Sequence, residues 1–256
     1  MKKQLFALAA LAAAALSPAH ALSTGDLAFT SFNADEDGFS MVSFVNISAG
    51  TVVYFTDNEY VSGAFNTGES YLKWTTGDVA AGSVVRFSNV DVTSLAASNG
   101  ALARQSISGS TNYGLSTSAD TVYAYQGTSA TAPTTFLAAI TNASSFNTTD
   151  GALAGTGLTE GSSSAIRLTA KPGAANASPD FGQYNGDRST QTTLAAYKPL
   201  LADLNNWTVD TSNGSYATTV PNTAAFTAAV PEPESYALML SGLAALGFMA
   251  RRRQQR

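Results

Sequence analysis

The chain has no cysteine, and its one histidine is His20. The missing cysteine excludes disulfides, thiolate nucleophiles and cysteine-ligated zinc. His20 lies in an N-terminal stretch that reads as cleavable. Once that stretch is removed, the mature chain lacks Ser-His-Asp and Cys-His machinery and histidine-bound zinc as well. Charge is also scarce, at 12% of residues, and positive charge is scarcest in the middle. Six of the 13 Lys and Arg are Lys2, Lys3, Arg251, Arg252, Arg253 and Arg256, and two of the 18 acids are Glu232 and Glu234. The body from Leu22 to Val230 therefore keeps 7 basic against 16 acidic residues, a net charge of −9. Such a surface argues against nucleic acid, whose phosphates need Lys and Arg to displace counterions. It suits cations, calcium included, and neutral glycans.

What the chain does have is two unusual ends. Lys2 and Lys3 precede an apolar run from Leu5 to Leu16 and then Ala19-His20-Ala21, a small-x-small cleavage signature. This pattern predicts a secretory signal peptide over residues 1–21, cut beside Ala19 and Ala21, with the mature chain starting at Leu22. Signal peptidase and the export machinery are the partners it implies. At the other end, Pro231-Glu232-Pro233 leads into an apolar stretch from Tyr236 to Ala250 and then Arg251-Arg252-Arg253. A helix from Ser235 to Ala250 would rise about 24 Å at ~1.5 Å per residue, close to the ~30 Å hydrocarbon core. A transmembrane helix is expected there, with the arginines held cytoplasmic and the prolines beyond the membrane.

These C-terminal residues resemble the PEP-CTERM sorting signal of Gram-negative bacteria, which carries Pro-Glu-Pro, a hydrophobic helix and terminal arginines in this order. The resemblance implies an exosortase as partner, acting at Pro231 to Pro233. It also implies a transient stay in the inner membrane, then release or transfer to the cell surface.

Between the ends, short segments of strand character recur: 27–32, 39–47, 51–56, 71–75, 83–88, 121–125, 136–140 and 165–168. They are separated by turn residues such as Ser48-Ala49-Gly50 and Ala80-Ala81-Gly82. Eight or so short strands predict an all-β domain, a sandwich or a barrel, over 22–212. One helical pattern, 192–204, places Leu194, Tyr197, Leu201 and Leu204 at intervals of three and four, with a break expected at Pro199. Residues 213–229, rich in Ser, Thr, Ala and Asn, read as a last strand and a flexible spacer before the sorting signal over 230–256. Gly25-Asp26-Leu-Ala-Phe-Thr30, Phe32-Asn-Ala-Asp35, Val53-Tyr-Phe-Thr-Asp-Asn58 and Asn206-Trp207 are similar to the lamin-tail-like modules of bacterial surface proteins. That resemblance implies an immunoglobulin-like β-sandwich and a binding or structural module without catalysis.

Three sets of residues are candidates for chemistry. Asn33-Ala-Asp35-Glu36-Asp37-Gly38 has the N-x-D-x-D-G spacing of the first half of a calcium loop, but position twelve is Phe44, which rules out a complete EF-hand. Asn33, Asp35 and Asp37, completed by Asp57 and Glu59, form the expected metal set, and calcium is the one candidate cofactor. Asp57 and Glu59 would also lie roughly 7 Å apart on one face of a strand, a spacing within reach of a glycosidase pair. Tyr54, Tyr60, Tyr71, Trp74, Tyr123 and Tyr125 form a sugar-stacking platform if they share an exposed face, and a core if they do not. The leading expectation is an exported, non-enzymatic structural or adhesive protein of the cell surface or extracellular polysaccharide matrix. A calcium-dependent or glycan-binding module and a matrix polysaccharide hydrolase are the alternatives.

Overall fold

A computed structural model describes residues 21–173, 178–229, 239–244 and 251. Period-two patterning and β-branched or aromatic residues build most of it into strands. In chain order these are β1 (Leu27–Asn33), β2 (Gly38–Ser43), β3 (Val52–Thr56), β4 (Tyr60–Val61), β5 (Ala64–Phe65), β6 (Tyr71–Thr75) and β7 (Val84–Ser88). There follow β8 (Ala96–Ala97), β9 (Ala101–Arg104), β10 (Thr121–Ser129), β11 (Ala132–Thr141), β12 (Ala165–Arg167), β13 (Phe181–Tyr184) and β14 (Trp207–Val209).

Twelve strands form two open six-stranded sheets, ordered β14-β13-β1-β2-β7-β8 and β12-β11-β10-β3-β6-β9, and β4–β5 is a separate hairpin. The first sheet is antiparallel throughout. The second has one parallel pair, β11 with β12. The sheets meet through aromatic rings: Phe39 and Phe87 of the first lie 5.0 and 4.7 Å from Phe55 of the second, and Trp74 lies 5.1 Å from Phe87. Each of these four side chains is at most 1% exposed, and burying one stabilises the fold by roughly 1.5–3 kcal/mol.

The second sheet is covered on both faces. Along β10, Val122 and Ala124 enter the core between the sheets, whereas Tyr123 and Tyr125 point the other way into a smaller core with Phe136 and Leu158. The β4–β5 hairpin closes this smaller core, laying Tyr60 4.8 Å from Phe136 and Phe65 5.1 Å from Tyr125.

Several expectations are corrected. The fold is larger than the expected immunoglobulin-like β-sandwich with a C-terminal membrane helix, because short strands invisible to patterning (β8, β9, β13 and β14) extend both sheets. Among the described residues no helix is long and apolar enough to cross a membrane. The helical residues described at the C-terminus are 239–244 and 251, all exposed. Gly242 lies among them and weakens a helix by about 1 kcal/mol relative to alanine. The transmembrane helix, the membrane contact through it and the transient inner-membrane stay derived from it are therefore withdrawn.

Pro199 does not interrupt the helical segment. The segment opens with a 3-10 turn over Leu194–Tyr197 and passes directly into the short helix α1 (Lys198–Ala202), in whose first turn the missing N–H of Pro199 costs no hydrogen bond. Residues 213–229 form no regular element, yet they lie along the body as a strap. Phe226 is 2% exposed against Tyr184 and Tyr197, Tyr216 stacks on Phe181 at 4.6 Å, and Ala229 N–H donates to Gln191 O.

Candidate metal centre

The antiparallel registers of the second sheet decide which acids meet. Thr56, at the end of β3, pairs with Tyr71 at the start of β6 and with Tyr123 near the start of β10. The end of one strand and the beginnings of its two neighbours therefore share one edge of the sheet. The residues just outside those strands are Asp57, Glu69 and Asp120, and one carboxylate oxygen from each lies within 4.8 Å of the others.

Each acid is held by its local chain. Asp57 Oδ1 accepts from Ser70 N–H (2.9 Å) and Ser70 Oγ–H (2.7 Å). Asp120 accepts from Ser116 N–H at Oδ2 (2.8 Å) and from Thr121 N–H at Oδ1 (2.7 Å). Asn58, fully buried, donates from Nδ2 to Ser70 O and accepts Glu69 N–H at Oδ1, which fixes the backbone that carries Glu69. Asp57 and Asp120 are 3% and 4% exposed, and Glu69 is half-buried.

Asp57 Oδ2 is buried and makes no hydrogen bond. Beside Asp120, Asn142 donates from its backbone N–H to Asp120 O and from Nδ2 to Ser116 O, while its Oδ1 is buried without a partner. No basic side chain neutralises the acids: the ion pairs among the described residues are Arg86 with Glu36 and Arg167 with Glu160.

Electrostatics follow from this crowding. Burial pushes Asp57 up to about 7, against the pull of the Ser70 hydrogen bonds. Burial and the charges of Asp57 and Glu59 push Glu69 up to about 8. Asp120 is raised well above the usual carboxylate range by burial and then by the charge of Asp57. Three acids in this arrangement either keep protons or gather around a cation.

The acids expected from sequence are distributed differently. Asn33 accepts Glu36 N–H and donates to Tyr216 O and Thr219 O, Asp35 accepts Tyr216 N–H, and Asp37 accepts Leu115 N–H. They act as clasps for the strap and for the loop before β10. Glu59 accepts from Asn66 Nδ2 across the β4–β5 hairpin. Of the expected metal set only Asp57 belongs to the three-acid cluster. Glu69 and Asp120 are missed in sequence because nothing there gives the pairing of strands, although each stands at a strand end.

The aromatic platform is also internal. Trp74 lies in the main core, Tyr60, Tyr71, Tyr123 and Tyr125 are at most 7% exposed, and Tyr54, partly buried, stacks on Tyr125 at 5.8 Å. Pro231, Glu232, Pro233, Arg252, Arg253 and Ala19 lie outside the described residues, whereas Ala21 and Arg251 are exposed. Leu22, next to Ala21, is 3% exposed and its N–H donates to Gln126 Oε1.

The strap docks through Ala229, and Pro231-Glu232-Pro233 follows it in the sequence. Residues 229–253 match the PEP-CTERM protein-sorting motif. The chain carries the sorting signal of exosortase substrates, which marks an exported surface protein. No curated protein and no solved structure matches the chain, so the lamin-tail-like resemblance of the body finds no support there.

Proposed function

We propose that the protein is a non-enzymatic structural or adhesive component of the cell surface or extracellular polysaccharide matrix, delivered there by an exosortase. The observation that carries this reading is the sorting motif, which starts at residue 229, where the docked strap ends. The strap is docked through Ala229, upstream of the Pro-Glu-Pro motif, so cleavage at that motif leaves those contacts in place. Burial of the tyrosines and Trp74 weighs against a sugar-stacking face built from them. Asp57, with one oxygen held by Ser70 and 3% exposure, is poorly placed to attack a polymer.

The test is the intact mass of protein recovered from the native surface and culture fluid. A form running from Leu22 to near Pro231–Pro233 supports the reading, and one that retains Arg251 to Arg256 overturns the sorting step. Co-sedimentation with the extracellular polysaccharide of the same cells, with no release of new reducing ends, is expected. Steady release of reducing ends would identify an enzyme instead.

A further inference from the structure

We propose that Asp57, Glu69 and Asp120 form an oxygen-only calcium site that ties together the end of β3 and the beginnings of β6 and β10. Three observations meet here. One oxygen from each acid lies within 4.8 Å of the others, which is the span of donors around a cation held at 2.3–2.6 Å. Asp57 Oδ2 is buried with no hydrogen-bond partner, so an oxygen already stripped of water awaits a ligand. The cluster contains three acids and no ion-paired Lys or Arg.

The ligand chemistry narrows the cation. Carboxylate oxygens, with no His or Cys anywhere in the body, suit hard divalent ions and disfavour zinc and copper. Calcium accepts six to eight oxygens in irregular geometry, whereas magnesium demands a near-ideal octahedron and retains most of its water. Donors from three separate strand ends, two of them pinned by backbone N–H groups, fit the tolerant ion. Glu69, half-buried, leaves a side through which water completes the shell. The raised affinity of all three acids for protons is the same crowding seen without a cation.

The site stands apart from the sorting reading, because it is tested on purified protein wherever that protein resides. The full-length protein, freed of metal with EGTA, is titrated with CaCl2 by calorimetry and by thermal unfolding. Terbium emission excited through tyrosine gives a third readout, since Tyr71 lies close enough to feel the charge of Asp57. A Kd at or below about 10⁻³ M is expected, in the range of extracellular calcium modules. Above the Kd, Tm should climb by about 3–5 °C for each tenfold in calcium.

Glu69→Gln should weaken binding at least tenfold. It folds without calcium at least as well as the parent, since it removes one of three crowded charges. Asp35→Asn, in the acidic loop outside the cluster, should leave the affinity unchanged. Three results overturn the proposal: no heat and no Tm shift up to 10 mM calcium, an undiminished response in Glu69→Gln, or loss of binding in Asp35→Asn. The first would mean that the three acids share protons and hold no metal.

Discussion

Asp37 shows how a single residue can satisfy its backbone and strain its charge. Its φ of 54° is left-handed, a conformation that aspartate and asparagine tolerate better than most residues, and its Oδ1 accepts Leu115 N–H at 2.6 Å. Burial, together with the charges of Asp91, Asp35 and Glu36, raises its pKa to about 6. The folded state therefore binds this proton more tightly than the unfolded state, and stability is lost as pH rises from about 4 through about 6. Asp37→Asn keeps the acceptor and the backbone preference while removing the charge. At pH 7 it should stabilise the protein by about 1 kcal/mol, discounted for partial exposure, or about 2–4 °C in Tm. Thermal unfolding of both proteins at pH 7 and pH 4 checks this, because the gap must shrink at the lower pH.

Among the elements, the strap is one that patterning misread. Residues 213–229 lack any period, yet Phe226 is wedged between Tyr184 and Tyr197, and its N–H donates to Gly82 O at 2.8 Å. Arg188, buried, donates to Ala224 O and Asn222 O and lies 4.6 Å from the Phe226 ring. Phe226→Ala should cost about 3–5 kcal/mol and open the strap to protease, with new cuts between residues 213 and 229. Gly82 provides a second handle, since its φ is +88° and a Cβ there would stand 2.1 Å from Phe226 O. Gly82→Ala should reproduce both effects, whereas Val220→Ala, at a 67% exposed side chain, should produce neither. Differential scanning calorimetry and limited proteolysis of the three variants decide the matter.

For the whole molecule, packing and sorting are separable. Among the described residues, the strap's backbone hydrogen bonds run as far as Ala229, where the sorting motif begins. Replacing Pro231, Glu232 and Pro233 with alanine should leave the Tm of the body within about 1 °C of the parent. The same change should leave the cellular protein at its unprocessed C-terminal mass. A large drop in Tm would mean that the signal contributes to the fold.

Much was legible in the chain itself. Composition excluded thiol chemistry and argued against nucleic-acid binding, and the ordered Pro-Glu-Pro, apolar and arginine segments identified the sorting signal, because both depend only on residue type and linear order. Strand segments such as 51–56, 71–75 and 83–88 could be read from period two and bounding turns. The strap could not, because its order comes from one aromatic side chain and distant partners. The long membrane helix was read from length and hydropathy alone, which ignore how Ser241 and Gly242 weaken a helix. Asp57, Glu69 and Asp120 are separated by 12 and 51 positions in the chain, and no local pattern joins them. Only the pairing of β3 with both β6 and β10 brings them within 4.8 Å, and that pairing is fixed by the burial of Phe55, Trp74, Tyr123 and Tyr125 on opposite faces of one sheet. Residue identity determined which chemistry was available, and tertiary packing decided which residues share it, because strand neighbours are chosen by long-range burial that linear order does not encode.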